Sequence, residues 1–287
     1  MNKIVTWLIL ATLLISGGKT FAQKDGFSLH LSGVFPNGKF GEFDDVKDGS
    51  VKRIGALFHE QSKTGAAGTG FGLGFKYQLS IPKIDGLRFL VGAELMYNPL
   101  NGDAKDWFDD NFTSGTDHYS NEYGGYSYDY DYEVTLPKYL NVPLMVGLNY
   151  AIKLNDKINI FGEVAAGINM RLNTNTKILY EADGTSWEIS ADGDYNYYYE
   201  VPTIEESRYK YDNAITFAYR FGAGVTFDRI SIGLHWYNLG AAKVKGKIET
   251  ESDFSKYGVV QHYSEEENFK HKELSISMLT LTVGYHF

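Results

Sequence analysis

Lys138-Tyr139-Leu140-Asn141-Val142-Pro143-Leu144-Met145-Val146-Gly147-Leu148-Asn149-Tyr150-Ala151-Ile152-Lys153 decides the fold class. Every even position from Leu140 to Ile152 is apolar, whereas the odd set mixes Asn141, Pro143, Gly147, Asn149 and Lys153. A helix would scatter the apolar set around its circumference, whereas a strand places it on one face. The stretch is also long enough for a tilted strand to cross a bilayer, which takes about 9–11 residues.

The alternation recurs at 26–34, 70–79, 87–97, 157–172, 214–227, 230–237 and 279–287. In each segment one face is apolar, as with Phe71, Leu73, Phe75, Tyr77 and Leu79. The other is polar or small, as with Gly70, Gly72, Gly74, Lys76 and Gln78. Three connections are short, at 80–86, 154–157 and 228–229. Four are long, at 35–69, 98–137, 173–213 and 244–272. Alternating short turns and long loops with an even strand count are the asymmetry of outer-membrane barrels. The expectation is an all-β, eight-stranded, antiparallel up-and-down transmembrane barrel with long external loops, in the cell outer membrane with both termini periplasmic. A ten-stranded ring is the alternative, with a hairpin from the loop after residue 98 or 173 counted in. A soluble sandwich or lipocalin-like barrel would turn its apolar face inward. It would not carry Arg88, Glu94, Glu163, Arg171 and Arg220 on that face.

The chain opens on Met1-Asn2-Lys3, then an uncharged apolar run from Ile4 to Ile15, then Thr20-Phe21-Ala22. A basic start, a short apolar run and small residues before a cleavage point predict a signal peptide over 1–22, leaving 23–287 as one barrel domain. With no cysteine among the 287 residues, lipid attachment at a cysteine, disulfides and thiolate metal sites are excluded. Removing Lys3 and Lys19 leaves 25 basic against 36 acidic residues, a formal charge of 25 − 36 = −11. Such a surface argues against nucleic acid.

Tyr139-Leu140-Asn141-Val142-Pro143-Leu144-Met145-Val146-Gly147-Leu148, followed by Phe161-Gly162-Glu163-Val164-Ala165-Ala166-Gly167, resembles the outer-membrane β-barrel domain family, the PorT-like small barrels of Gram-negative bacteria. The resemblance implies the barrel fold over residues 27–287 and no particular activity. The aromatic end, Tyr285 and Phe287, looks like the signal read by barrel assembly machinery. That machinery and outer-membrane lipid are therefore expected partners.

Two groups of residues are candidate sites. Lys76, Arg88, Glu94, Glu163, Arg171 and Arg220 fall on the inward faces. An eight-stranded barrel is just wide enough for its side chains to fill, so an ion-pair network is expected, with a narrow pore for small solutes or ions as the alternative. The loops supply the second group. Residues 98–137 carry nine acidic residues and one lysine, and 173–213 are likewise acid-rich. Within them Tyr126, Tyr128, Asp129, Tyr130, Asp131 and Tyr132 alternate as a strand would, and Tyr197, Tyr198 and Tyr199 come later. Tyrosine gives binding loops large amphipathic contact area. The loops are therefore expected to form a hydrated, acidic, tyrosine-lined crown on one side of the membrane, contacting an extracellular or cell-envelope protein or a glycan.

Other motifs weigh less. Asp192, Asp194 and Asn196 have the spacing of half a calcium loop, but Tyr197 and Thr203 stand where a glycine and a glutamate belong. Asp129, Asp131 and Glu133 would share a strand face and could draw a hard cation. His118-Tyr119-Ser120 and His262-Tyr263-Ser264 resemble the His-x-Ser motif of lipid A deacylases. Both lie in acidic loops rather than at a lipid interface, so a lipid-modifying enzyme is the least favoured reading. No catalytic, cofactor or metal site is assigned, and the protein is expected to be non-enzymatic.

Overall fold

The computed structural model describes residues 26–43, 55–58, 62–121, 123–189, 196–200, 203–256 and 259–287. The expected signal peptide and both aspartates of the half calcium loop lie outside them. The described residues form thirteen antiparallel strands in one sheet. They are β1 (Gly26–Pro36), β2 (Gly70–Ser80), β3 (Leu87–Asn98), β4 (Gly115–Asn121), β5 (Gly124–Thr135), β6 (Tyr139–Lys153), β7 (Ile158–Asn173), β8 (Thr176–Ile189), β9 (Asn196–Glu200), β10 (Thr203–Tyr211), β11 (Ala214–Phe227), β12 (Ile230–Lys256) and β13 (Val259–His286). A helix, α1 (Gly102–Asn111), comes after β3.

Eight strands close a ring in the order β11-β7-β6-β3-β2-β1-β13-β12, and β12 returns to β11. The ring has eight members, not ten, because the hairpins of the loops pair above it. Its faces match the sequence pattern. Leu31, Phe71 and Phe217 are 64%, 62% and 67% exposed, whereas Asn141 and Glu163 are 0% and 3% exposed. Leu144, Val146 and Leu148 point out and Asn149 points in. An apolar belt around a polar interior inverts the arrangement of a water-soluble protein and is that of a membrane-spanning barrel.

Above the ring one side of the wall continues as an open sheet, ordered β13-β12-β10-β8-β5-β4, with β9 extending the free edge of β8. The pairing passes from barrel to crown without gaining or losing a residue. Tyr139↔Asn173 in the ring is in step with Thr135↔Lys177 above it, and Ala214↔Arg171 with Tyr209↔Thr176. The short breaks at 136–138, 174–175 and 212–213 lie at one level. At the same level β12 and β13 change register, between Asn238 and Ala241 and again between Lys243 and Lys245. Gly240 has a φ of 82°, and a Cβ there would stand 2.5 Å from the Phe217 carbonyl oxygen. The bulge thus needs glycine.

The expected loop at 244–272 is therefore largely strand, within β12 of 27 residues and β13 of 28. The inward face of this hairpin near the ring carries Val244 and Phe269, but Gly246, Thr250 and Ser252 follow, so no sustained apolar alternation marks it in the sequence.

Strands β1, β2 and β3 stop at the mouth, and the segments after β1 and β3 plug it. Phe40, Leu57, Ala66, Ala67, Leu100, Ala104 and Phe108 form one apolar cluster with Val34, Met96, Leu239, Leu274 and Met278 of the wall. The plug is knitted by backbone bonds from Gly65 to Lys39 at 2.7 Å, Ala67 to Phe40 at 2.9 Å and Asn101 to Ala66 at 2.7 Å. The Tyr139 hydroxyl donates to the Gly65 carbonyl at 2.5 Å, and its ring meets Phe40 edge-on at 5.0 Å.

Candidate functional site

Four of the six predicted lumen charges come together. Lys76 Nζ lies 2.6 Å from Glu163 Oε2, and Arg220 and His235 approach Glu163 Oε1 at 3.0 and 3.1 Å. The second carboxylate, Glu94, accepts from Ser32 at 2.7 Å and from the Tyr237 hydroxyl at 2.6 Å, with His30 at 3.6 Å. Arg220 donates to Tyr237 at 2.6 Å and so joins the two halves. Asn149 reaches Glu163 at 3.4 Å, and Thr282 reaches Ser32 at 3.2 Å and His235 at 3.4 Å. Every strand of the ring supplies a member. Two cations thereby face two carboxylates in a buried layer, the condition under which interior charges are tolerated. His30, His235, Tyr237 and Asn149 belong to the layer although the six predicted charges include none of them; their inward positions in alternating strands were the available signal.

The other two predicted members stand apart. Arg171 lies at the mouth and donates to the carbonyls of Ala242 at 3.4 Å and Lys243 at 3.1 Å, which the bulge in β12 turns toward it. Arg88 lies at the turn end and donates to Gln78 at 3.2 Å. Inward parity put both in the lumen, but their heights along the barrel keep them from the paired carboxylates.

The network also divides the lumen. The void beside Glu94, Met145, Arg220 and Tyr237 measures about 10 Å³, at the lower limit for one water (roughly 10–15 Å³). Above it comes the apolar plug.

In the crown, Tyr126, Tyr128, Tyr130 and Tyr132 share one face of β5, as expected, and Asp129, Asp131 and Glu133 share the other. The tyrosine face continues the lumen side of the wall. Tyr132 meets Phe112 at 5.4 Å, and Tyr209 meets Phe58 of the plug at 6.2 Å. In β6 the inward residues are odd-numbered, whereas in β5 they are even, so the breaks at one level turn each strand over. Tyr180 of β8 joins the tyrosines, 4.9 Å from Tyr132 and 6.2 Å from Tyr130. Tyr126 and Tyr128 stack at 5.2 Å, and Tyr119 lies 5.8 Å from Tyr126. A hollow of about 270 Å³ lies among Tyr128, Tyr130, Tyr132, Tyr180, Asp117, Asn111 and Thr113. The negative charge of Asp117, with which Tyr126 makes a 3.4 Å hydrogen bond, pushes the Tyr126 hydroxyl pKa up. Partial burial first and Tyr130 next push that of Tyr132 up. These hydroxyls therefore stay protonated donors.

Along β5 the tyrosines and the carboxylates thus occupy opposite faces, with Asp117 of β4 joining the tyrosine side. On the face away from the tyrosines Asp129 sits directly across from Asp183, and Asp131 from Glu181. Thr116 donates to Asp129 at 2.7 Å and Ser114 donates to Asp131. Among the described residues no three acidic or histidine side chains gather as metal ligands. Tyr197, Tyr198 and Tyr199 belong to β9 by their backbone pairing with β8. His118 packs on Trp187 at 6.1 Å, and His262 Nδ1 lies 2.6 Å from Asp253. Neither Ser120 nor Ser264 hydrogen-bonds a histidine among the described residues. The triad geometry needed to activate a serine is therefore absent there.

No family model and no curated protein matches the sequence. Among solved structures, the chain is similar to Ail, the attachment invasion locus protein of Yersinia pestis. The identity is 9% and the TM-score 0.30, over 92% of this chain and 97% of that one. Ail in complex with the heparin analogue sucrose octasulfate gives 12% and 0.28 over the same shares. The P. putida toluene transporter TodX gives 10% and 0.19, over 93% of this chain and 90% of that one. Likenesses of this degree carry no site or ligand across, and the ring rests on its own strand pairings.

Proposed function

We propose that the protein is a non-enzymatic outer-membrane barrel, PorT-like in kind, that binds a partner at the cell surface through the aromatic face of its crown. The carrying observation is the row Tyr126, Tyr128, Tyr130, Tyr132 and Tyr180, partly exposed on a hydrogen-bonded sheet above the apolar plug. In this reading the barrel is a pedestal. Lipid covers its belt, assembly machinery reads its aromatic end, and both termini face the periplasm. The breaks that turn the strands over direct the tyrosines toward the mouth axis and the carboxylates away from it. Tyrosines held in a sheet lose little further side-chain freedom on binding, which suits a protein or glycan surface of the envelope or beyond.

The test is surface binding by cells or by the refolded barrel, comparing intact protein with a Tyr128→Ala, Tyr130→Ala, Tyr180→Ala variant. Loss of binding with an intact ring is expected. Unchanged binding would make the crown a shield. The packed network and the apolar plug argue against the conducting pore, the alternative reading.

A further inference from the structure

The turn end of the barrel holds a second site, independent of the crown. A cavity of about 430 Å³ opens between the short turns and reaches His30, Lys76 and His235 of the network. Its two walls differ. On β11, β12 and β13 the wall combines the small residues Thr226, Ser231, Gly233 and Gly284 with His235, Thr282 and His286. Gly224 pairs with Gly233, and the Phe161 ring of β7 packs over this pair. The opposite wall carries Ser28, Gln78 and Arg88, with His286 beside Ser28.

Charge accounting singles out Arg88. The described lumen residues include the carboxylates Glu94 and Glu163 and the basic side chains Lys76, Arg88, Arg171 and Arg220. Lys76 and Arg220 balance the two carboxylates. Arg171 is answered by two carbonyl oxygens. Arg88 has the neutral Gln78 amide, and no carboxylate within ion-pair distance among the described residues. His286 Nε2 is also buried without a hydrogen-bond partner. The rim holds Asp156 and Asp228 with Lys157 and Arg229. Asp156 is engaged by Lys153 at 2.8 Å. A half-buried guanidinium that fronts a cavity lined with hydroxyls, side-chain amides and imidazoles matches the fork geometry of an oxyanion. The volume lies within the range of small-molecule sites (about 300–1,000 Å³).

The geometry points to a binding site for a small soluble oxyanion, a carboxylate or phosphate group, held by Arg88 inside the turn end of the barrel. A lipid headgroup would have to carry its tails past the wall, so the ligand is a water-soluble molecule entering between the turns.

The experiment uses the full barrel, labelled with ¹⁵N-arginine and embedded in nanodiscs of zwitterionic lipid. Inorganic phosphate and acetate are titrated while the Arg88 Nε–Hε signal, assigned by its loss in Arg88→Gln, is monitored. A saturable shift of that signal is expected. Equilibrium dialysis of phosphate should show about tenfold or greater weakening in R88Q, the scale of a lost charge-assisted hydrogen bond. The rim variant Arg229→Gln should change it far less. An Arg88 signal that does not saturate with phosphate or acetate would overturn the site, and this reading in unaltered protein does not depend on how the variants fold. Equal weakening by R88Q and R229Q would reduce the effect to general attraction at the rim and overturn it too. If anionic lipid shifts the Arg88 signal and phosphate then no longer does, the occupant is a headgroup and the soluble ligand is wrong.

Discussion

Glu163 is the residue on which the lumen turns, because its two oxygens answer Lys76, Arg220 and His235 at once. Glu163→Gln keeps the shape and removes the charge, leaving two interior cations against one carboxylate. Breaking a buried pair in this way costs about 3–5 kcal/mol. Denaturant unfolding of the refolded barrel should register it as a lower midpoint. Lys76→Met added to Glu163→Gln should restore part of the loss, since one uncompensated cation goes with it. A midpoint unchanged in E163Q would mean that water, rather than protein, answers these charges. Gly240 offers a second residue-scale test. Gly240→Ala places a Cβ at a φ of 82° against the Phe217 carbonyl. A loss of about 1–2 kcal/mol is expected, read in the same unfolding curves, with the ring still closed on a heat-modifiability gel.

Among the elements, the crown strands β10 and β12 are held differently from the ring. Burial disfavours the charged form of Glu206, but hydrogen bonds from Arg208 and Lys177 outweigh it and hold its carboxyl below the usual range. Lys210 does the same for Glu249. Folded-state values that are depressed stabilise the fold above the unfolded pKa of about 4.3. That stabilisation fades as pH falls through the lower folded values. The protection factors of amides in β10 and in residues 246–254 of β12, corrected for the intrinsic exchange rate, should therefore fall as the pH is lowered below about 4. The pairing of β6 with β7 should keep its protection, and a uniform loss across both regions would contradict the assignment. The sequence shows the element boundaries unevenly. In the belt, lipid outside and a crowded lumen inside force opposite chemistries on neighbouring residues, so the strand of Leu140 to Leu148 is legible from its alternation. In 244–253 the inward positions after Val244 are Gly246, Ile248, Thr250 and Ser252, mostly small or polar, so Lys245, Lys247 and Glu249 read as a loop although they are strand.

The whole molecule behaves as a closed barrel carrying an open sheet. Planar-bilayer recording should show no stepwise conductance for the intact chain, and Glu163→Ala or Arg220→Ala alone should not create it while the plug stands. Replacing 38–66 with a short linker in a Glu163→Ala barrel should open a path. Steps from the unaltered protein would revive the pore. At this scale, sequence by itself determined the eight alternating belt segments, the direction each belt residue faces and the polarity of the lumen. All three come from period-two alternation against two fixed environments. Tertiary structure alone decided the rest. Glu94 and Tyr237 lie 143 positions apart and meet only when the ring closes. Arg88 and Arg171 share the parity of the network but not its height. The turning over of the strands above the ring, which sorts tyrosines from carboxylates, arises from breaks such as Leu136-Pro137-Lys138 acting together at one level. No single strand's pattern contains that agreement, because it is a property of the sheet.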